Sequence, residues 1–350
     1  MVCVLDWGLG HASRSVPVIA ELLRQDARVI MAGSGRAGRL LQKSFPDLKY
    51  YECPAYKVNY QGRDLYLSML GQLPKIFRAV YLEHRWLRRI VAKEQVDVVI
   101  SDSRFGCYHA AVPSVLITHQ LNLQIHPAFL SRTVNWFYQN WLKRFRTIWI
   151  PDQPDGLSGA LSYPTPFQSS VYIGLLSRFS SGSAAPKRDL LVLLSGPEPQ
   201  RSRLEAIVLR QLKTMPELKV LIVQGKTDEE TTHQLGERME LVSYLAGAAL
   251  EEAIRTSAVV LCRSGYSSLM DLATMHKPAI LIPTPGQPEQ EYLAQRCREK
   301  NWAVVRTQSQ LDIREALQAI LQQSIGFGTA QTTGPAILPA IVKDLLQSTS

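Results

Sequence analysis

Arg263-Ser-Gly-Tyr-Ser-Ser-Leu-Met-Asp-Leu-Ala-Thr-Met-His-Lys-Pro-Ala-Ile-Leu-Ile-Pro283 joins one short apolar run to the next, and its reading decides the fold. Residues 258–262 before it and 279–282 inside it are compact apolar strands. Between them Leu269, Met270, Leu272 and Ala273 recur at helical spacing, which predicts a helix over 267–275. Apolar strands joined through a helix pair in parallel and are covered on both faces. Ser264, Gly265, Ser267 and Ser268 fall where that helix begins, so backbone N–H groups and hydroxyls there suit a diphosphate. Asp271, one turn further on, is placed to accept bonds from ribose hydroxyls.

The same β-α rhythm extends in both directions. In the second half, strands are expected over 190–194, 218–223 and 303–306, with helices over 203–215, 250–256 and 289–300. In the first half, strands are expected over 2–5, 28–32, 96–101, 115–118 and 170–173. Helices follow over 65–94, over 129–146 and after Gly8, where Pro17 is tolerable only in a first turn. Ser180-Ser-Gly-Ser-Ala-Ala-Pro186 has linker composition. The expectation is an α/β protein of two Rossmann-like domains with parallel sheets facing a cleft. The domains are 1–178 and 188–330, joined by a linker at 179–187. Residues 331–350 are expected to supply a helix, 337–346, that returns to the first domain.

With 350 residues, 46% hydrophobic and 20% charged, the composition is globular and excludes a disordered chain. Five scattered cysteines suit a reducing compartment and form no zinc pattern. The opening lacks a basic and apolar leader, and the long uncharged stretches are broken by Pro, Ser and Gly, so a cytoplasmic protein is expected. The net charge of +9 lies wholly in residues 1–178, which hold 21 Lys/Arg against 12 Asp/Glu. An anionic partner is expected there, but no nucleic-acid recognition motif accompanies the charge.

Gly8-Leu-Gly-His-Ala-Ser13 looks first like a dinucleotide fingerprint, but Ser13 replaces its third glycine and no acidic residue ends the next strand, which argues against NAD. His11 on that loop is a candidate general base for an acceptor hydroxyl, with Gly10 beside it. The plain alternative is a tight turn with an exposed histidine. Asp102, just past a buried strand, is placed to orient His11, or else it caps the next helix. His119 and Gln120 form a further polar pair on the acceptor side, though a lone histidine there is more often structural.

Residues 242–294 resemble the donor half of glycosyltransferase family 28, in particular the bacterial N-acetylglucosaminyltransferase that makes the lipid-linked peptidoglycan precursor. Tyr244-Leu245, Arg263-Ser-Gly265, Asp271, Lys277-Pro278, Pro283 and Gln290 carry the resemblance. It implies the two-domain GT-B fold, with Tyr244 and Leu245 bordering a uracil, Asp271 on the ribose and Gln290 on the sugar. Gln287 lies in the same loop, and Ser195 and Gly196 occupy the slot of the family's second glycine loop. Gly8-Leu-Gly-His11 resembles the first glycine loop, with Leu9 in place of a glycine, and His119-Gln120 resembles a His-Glu-Gln run without its Glu.

The resemblance implies an inverting transfer from a UDP-sugar, with N-acetylglucosamine as the sugar it suggests, to a hydroxyl acceptor of lipid-linked type. No Asp-x-Asp occurs, so neither metal nor other cofactor is expected, and the helix start with Arg263 is expected to steady the leaving UDP. A UDP-sugar epimerase or hydrolase would need cleft carboxylates beyond Asp6 and Asp102, and a non-catalytic nucleotide-sugar-binding subunit would not need His11. Helices 75–93 and 136–146 mix cations with aromatics. They suit peripheral docking on an anionic membrane at the inner face of the plasma membrane. The plainer alternative is an aromatic stripe turned to the core with a solvated basic edge.

Overall fold

A computed structural model describes residues 1–56, 65–124, 128–182, 184–226, 231–323, 325–328 and 337–348. The chain forms two compact units, Met1–Arg178 with Thr332–Ser350, and Phe179–Gln331. Residue 183 of the expected linker and residues 331–336 lie outside the described residues.

The first unit runs β1 (Val2–Val4), α1 (Leu9–Arg24), β2 (Ile30–Gly33), α2 (Gly35–Ser44), β3 (Lys49–Glu52), α3 (Leu65–Glu94), β4 (Val99–Asp102), β5 (Ser114–Ile117), α4 (Ala128–Leu142), β6 (Thr147–Ile150) and β7 (Ser170–Tyr172). Its sheet is ordered β3-β2-β1-β4-β5-β6-β7, with every pairing parallel. Val2, Cys3 and Val4 are fully buried because β1 is central and covered on both faces. Val18, Ile19 and Leu22 turn α1 onto that sheet. Pro17 stands in the interior of α1 rather than in its first turn, so the helix tolerates a lost backbone donor there.

The second unit runs β8 (Arg188–Leu193), α5 (Gln200–Leu212), β9 (Val220–Val223), β10 (Thr232–Gln234), β11 (Met239–Val242), α6 (Gly247–Arg255), β12 (Ser257–Cys262), α7 (Tyr266–Thr274), β13 (Ala279–Leu281), α8 (Pro288–Glu299), β14 (Val304–Val305) and α9 (Ile313–Gln322). Its sheet is ordered β10-β11-β9-β8-β12-β13-β14. All pairs are parallel except β10 with β11, an antiparallel edge that corrects the expectation of a wholly parallel sheet. Thr232-His-Gln234 is exposed and lacks the apolar signature by which a covered strand is read. Leu190, Val192, Leu261 and Ile280 from the sheet pack with Leu204, Val208 and Leu212 of α5 in one core.

The last helix, α10 (Ile337–Gln347), belongs to the first unit. Leu338 and Val342 are its buried residues, and Gln25 at the end of α1 donates from Nε2 to the Pro339 carbonyl at 2.8 Å.

A buried ion pair ties the first unit's layers. Arg104, wholly buried, donates to Glu83 of α3 at 2.5 Å, to the carbonyls of Val4 and Pro54, and to Ser34 Oγ. Glu83 also accepts from Tyr56 at 2.7 Å and from the Gly106 N–H at 2.8 Å, so both charges are fully partnered, as burial demands. Asp6, the other carboxylate weighed for a cleft role, accepts from the Ala37 N–H at 3.1 Å and serves the start of α2.

Along α3, Ile76, Val80, Leu87, Ile90 and Val91 are buried, whereas Phe77 and Tyr81 are 53% and 59% exposed. On α4, Trp136 and Phe137 are 59% and 61% exposed. The aromatics divide between the two readings: Trp86, Tyr138 and Trp141 pack partly buried against the first unit's core, whereas Phe77, Tyr81, Trp136 and Phe137 are exposed, and Phe77 packs edge-on against Trp141 with centroids 4.9 Å apart. Lys75, Arg78, Arg85, Arg88, Arg89, Lys143, Arg144 and Arg146 are exposed on the same two helices and the segment that follows α4.

Candidate active site

In the first unit the chain is turned toward the site by Gly8, which takes φ +92 at the start of α1 with open space where a Cβ would stand. α1 starts at Leu9, so Gly10 and His11 lie in its first turn rather than on a loop, the helix reaching further back than its apolar spacing shows. Asp102 ends β4, which pairs with β1 so that the two strand ends lie side by side. His11 Nδ1 stands 2.8 Å from Asp102 Oδ1. The His11 side chain keeps 18% exposure while Asp102 has none.

Asp102 is held by more than His11. Arg14 Nε donates to Asp102 Oδ2 at 2.8 Å and Arg14 Nη2 donates to Oδ1, with Ser15 Oγ 3.0 Å from Oδ2. Burial alone would push this carboxyl up. The charges of Arg14 and His11 and the bonds they donate overcome it and hold Asp102 well below the usual carboxylate range. Arg14 Nη1 also reaches His119 Nδ1, at 3.2 Å, so His119 joins the cluster. Gln120 is placed next to it by its backbone, whose carbonyl accepts from Tyr138 at 2.8 Å and whose N–H donates to Thr118 Oγ1 at 3.2 Å.

Arg14 was not among the residues that the sequence singled out. Its signal is an arginine on the face of α1 that also carries Val18 and Ile19, where a charge needs a buried partner. Asp102 is that partner rather than a helix cap.

In the second unit, Gly265 stands just before α7 as its N-cap, the spot where its Cβ would stand is open, and no side chain caps the helix. Its first-turn amides, with Ser267 and Ser268 half-buried beside them, suit an anion. Asp271 is half-buried further along α7, and Tyr244 and Leu245 are half-buried between β11 and α6. Ser195 and Gly196 are exposed after β8, and Gly196 takes φ +101.

Other assigned groups are already engaged. The Ser264 hydroxyl donates to the Gln290 carbonyl at 2.8 Å. Gln290 Oε1 accepts from the Thr284 N–H at 2.9 Å, and its Nε2 donates to Gln287 Oε1 at 2.6 Å, so Gln290 braces its loop and Gln287 carries the less committed amide. Lys277 is buried, with Nζ on the carbonyls of Arg255 and Ser257.

Arg263, 1% exposed, spends Nη1 on the Ile282 and Pro283 carbonyls and Nη2 on Gln200 and Gln308. With no carboxylate beside it, burial lowers its pKa to about 10. It clamps the strand-end loops and does not project freely toward a diphosphate. One edge of it stays open: Arg263 Nε and Thr284 Oγ1 are both buried without a hydrogen-bond partner. A Cβ added at Gly196 would stand 3.5 Å from Thr284 Oγ1 and 4.0 Å from Arg263 Nε, so the glycine lies against that buried, unpartnered corner.

A cavity of about 740 Å³ in this unit is lined by Gln200, Arg203, Pro283, Pro285, Glu291 and Gln308 among others. None of the residues assigned to the donor lines it. The donor assignment rests on the α7 helix start instead.

Residues 200–333 match the glycosyltransferase family 28 C-terminal domain. An uncharacterised glycosyltransferase of Methanopyrus kandleri is 22% identical over 319 residues, covering 86% of this chain and 90% of its own. A UDP-N-acetylglucosamine--N-acetylmuramyl-(pentapeptide) pyrophosphoryl-undecaprenol N-acetylglucosamine transferase of Alkaliphilus metalliredigens is 28% identical over 140 residues, or 37% of this chain and 36% of the relative. Among solved structures, the glycosyltransferase VinC in complex with dTDP superposes with a TM-score of 0.68 at 14% identity, covering 99% of this chain and 98% of that one.

Proposed function

We propose that this family 28-like glycosyltransferase, whose fold is that of the GT-B enzymes, moves a sugar from UDP to an acceptor hydroxyl with inversion and without a metal. The observation that carries the reading is the His11–Asp102 contact at 2.8 Å. With Nδ1 donating to the carboxylate, Nε2 keeps a lone pair and can take the acceptor's proton as its oxygen attacks the anomeric carbon. The C–O bond to UDP breaks on the opposite face, and the diphosphate leaves with the bonding pair. The amides at the start of α7, and the unpartnered polar corner beside Gly196, support a site for that charge.

Uracil as the base and N-acetylglucosamine as the sugar are supported by the name of the Alkaliphilus relative, and a nucleoside diphosphate by the dTDP bound to VinC. The name of the same relative also supports a lipid-linked acceptor. It is supported by the exposed aromatics and cations of α3 and α4, which would let the first unit dock on an anionic membrane. Among the described residues, no helix is long and apolar enough to cross a membrane.

The test is turnover of UDP-sugars with lipid-linked and soluble hydroxyl acceptors, with the product's anomeric configuration read by NMR. His11→Ala is expected to lose about 10²–10⁴-fold in turnover with UDP affinity unchanged. Wild-type turnover by His11→Ala on a working donor–acceptor pair rejects His11 as the base, and a product of retained configuration rejects inversion.

A further inference from the structure

We propose that Arg14 is a positioning residue that fixes His11 and His119 in opposite tautomers, one an acceptor of protons and the other a donor of a hydrogen bond. The proposal rests, for its catalytic meaning, on His11 being the base. Arg14 stands one helical turn after His11 and is 2% exposed. Its guanidinium touches both oxygens of Asp102, Ser103 Oγ at 3.0 Å, His119 Nδ1 at 3.2 Å and His11 Nδ1 at 2.9 Å.

A guanidinium has hydrogens to give and no lone pair to receive one. A ring nitrogen that bonds to it must therefore present its own lone pair. His119 Nδ1 is in that position, so the proton of neutral His119 sits on Nε2. His11 Nδ1 has two partners to choose from, Arg14 Nη2 and Asp102 Oδ1. Nη2 owns two hydrogens, and Asp102 Oδ1 and Ser103 Oγ accept both. None is left for His11, so its Nδ1 carries a proton and donates it to Asp102. The lone pair of His11 is then on Nε2, where a base needs it.

Arg14 also bears on what happens once His11 is charged. The groups that face the His11 ring are Asp102 at the end of β4, Arg14 on α1 and, through Arg14, His119 after β5. Asp6, after β1, is engaged with the Ala37 N–H. Once His11 is charged, Asp102 attracts it and the fixed cation of Arg14 repels it.

The test uses the whole chain labelled with ¹⁵N-histidine, with ring nitrogen shifts followed from pH 5 to 9 and assigned with His11→Gln and His119→Gln. The expected spectra show neutral His11 protonated on Nδ1 and neutral His119 protonated on Nε2. In Arg14→Gln the His11 titration is expected to move up, as removal of a nearby like charge predicts. The acid limb of kcat/KM is expected to move with it, and His119 is expected to lose its single tautomer. Arg14→Lys keeps the charge but not the fork, so it should release the His119 tautomer with a smaller shift at His11. A wild-type His119 protonated on Nδ1, or an Arg14→Gln protein with both rings unchanged, overturns the proposal. If Arg14→Gln does not fold, the wild-type tautomers decide alone. The spectra need no substrate, so tautomers as expected beside a fully active His11→Ala enzyme would sustain the role of Arg14 on the rings and reject only the base.

Discussion

Asp102 concentrates the energetics of the first unit's site in one carboxylate. It titrates in the folded protein below the value of about 3.9 that it has when unfolded. A depressed carboxylate gives stability that is complete above the unfolded value and is lost as pH falls through the folded one. Asp102→Asn removes that contribution and leaves Arg14 buried with a neutral amide. It should therefore unfold at lower denaturant than wild type at pH 7, by about 3–5 kcal/mol, the range for breaking a buried pair. The gap should narrow below about pH 4. Urea midpoints at pH 7 and pH 3 for both proteins check this, and an equal gap at both would show that Asp102 is not depressed. His11 and Asp102 were legible in the sequence because both follow short strands at the carboxyl edge of a sheet. Arg14 was not, because its partner lies on another strand and only packing brings them together. The internal bonds of Ser264, Arg263 and Gln290 were hidden for the same reason: a sequence shows which side chains can donate, not which bonds they have already made.

Elements with a clear apolar run or a long amphipathic period announced themselves, and those without one, or overrun by a neighbouring period, did not. α3 runs over 65–94 as its apolar spacing predicted, because a thirty-residue amphipathic pattern is hard to mistake. Lys49–Glu52 went unread because a strand with charge at both ends and half-exposed tyrosines has no apolar run to see. β6 was hidden by the helix expected to extend to 146, which stops at Leu142. At the centre of the second sheet, Leu261 of β12 is fully buried between β8 and β13. Leu261→Ala should cost about 2–5 kcal/mol by transfer and cavity terms together, measured by chemical denaturation. On α7 the expected effect is on binding. Asp271→Ala should weaken UDP by about 1–3 kcal/mol with little change in melting temperature, read by calorimetry. Equal UDP affinity in the two proteins would remove Asp271 from the ribose.

At the scale of the whole molecule, charge and exposed aromatics share one unit. The second half of the chain, residues 179–350, balances 18 Lys/Arg against 18 Asp/Glu, so any attraction to an anionic surface belongs to the first. Co-sedimentation with anionic but not neutral liposomes is expected, fading as salt shortens the Debye length from about 30 Å at 0.01 M to about 10 Å at 0.1 M. Arg85, Arg88 and Arg89 reversed to Glu should weaken it, since each cation near such a surface contributes about 1 kcal/mol. No sedimentation at low salt would move the acceptor to a soluble molecule.

The return of α10 to α1 makes the first unit discontinuous along the chain. On the ribosome, residues emerge in order, so the strands and helices up to Arg178 are made, and the entire second unit after them, before Leu338 and Val342 exist to be buried. The first unit is thus begun first and completed last. During that interval the nascent chain carries a finished sheet with an unfinished flank, at α1. A stop anywhere in the second unit would strand the first in that state, so the two units are coupled in the time of their making.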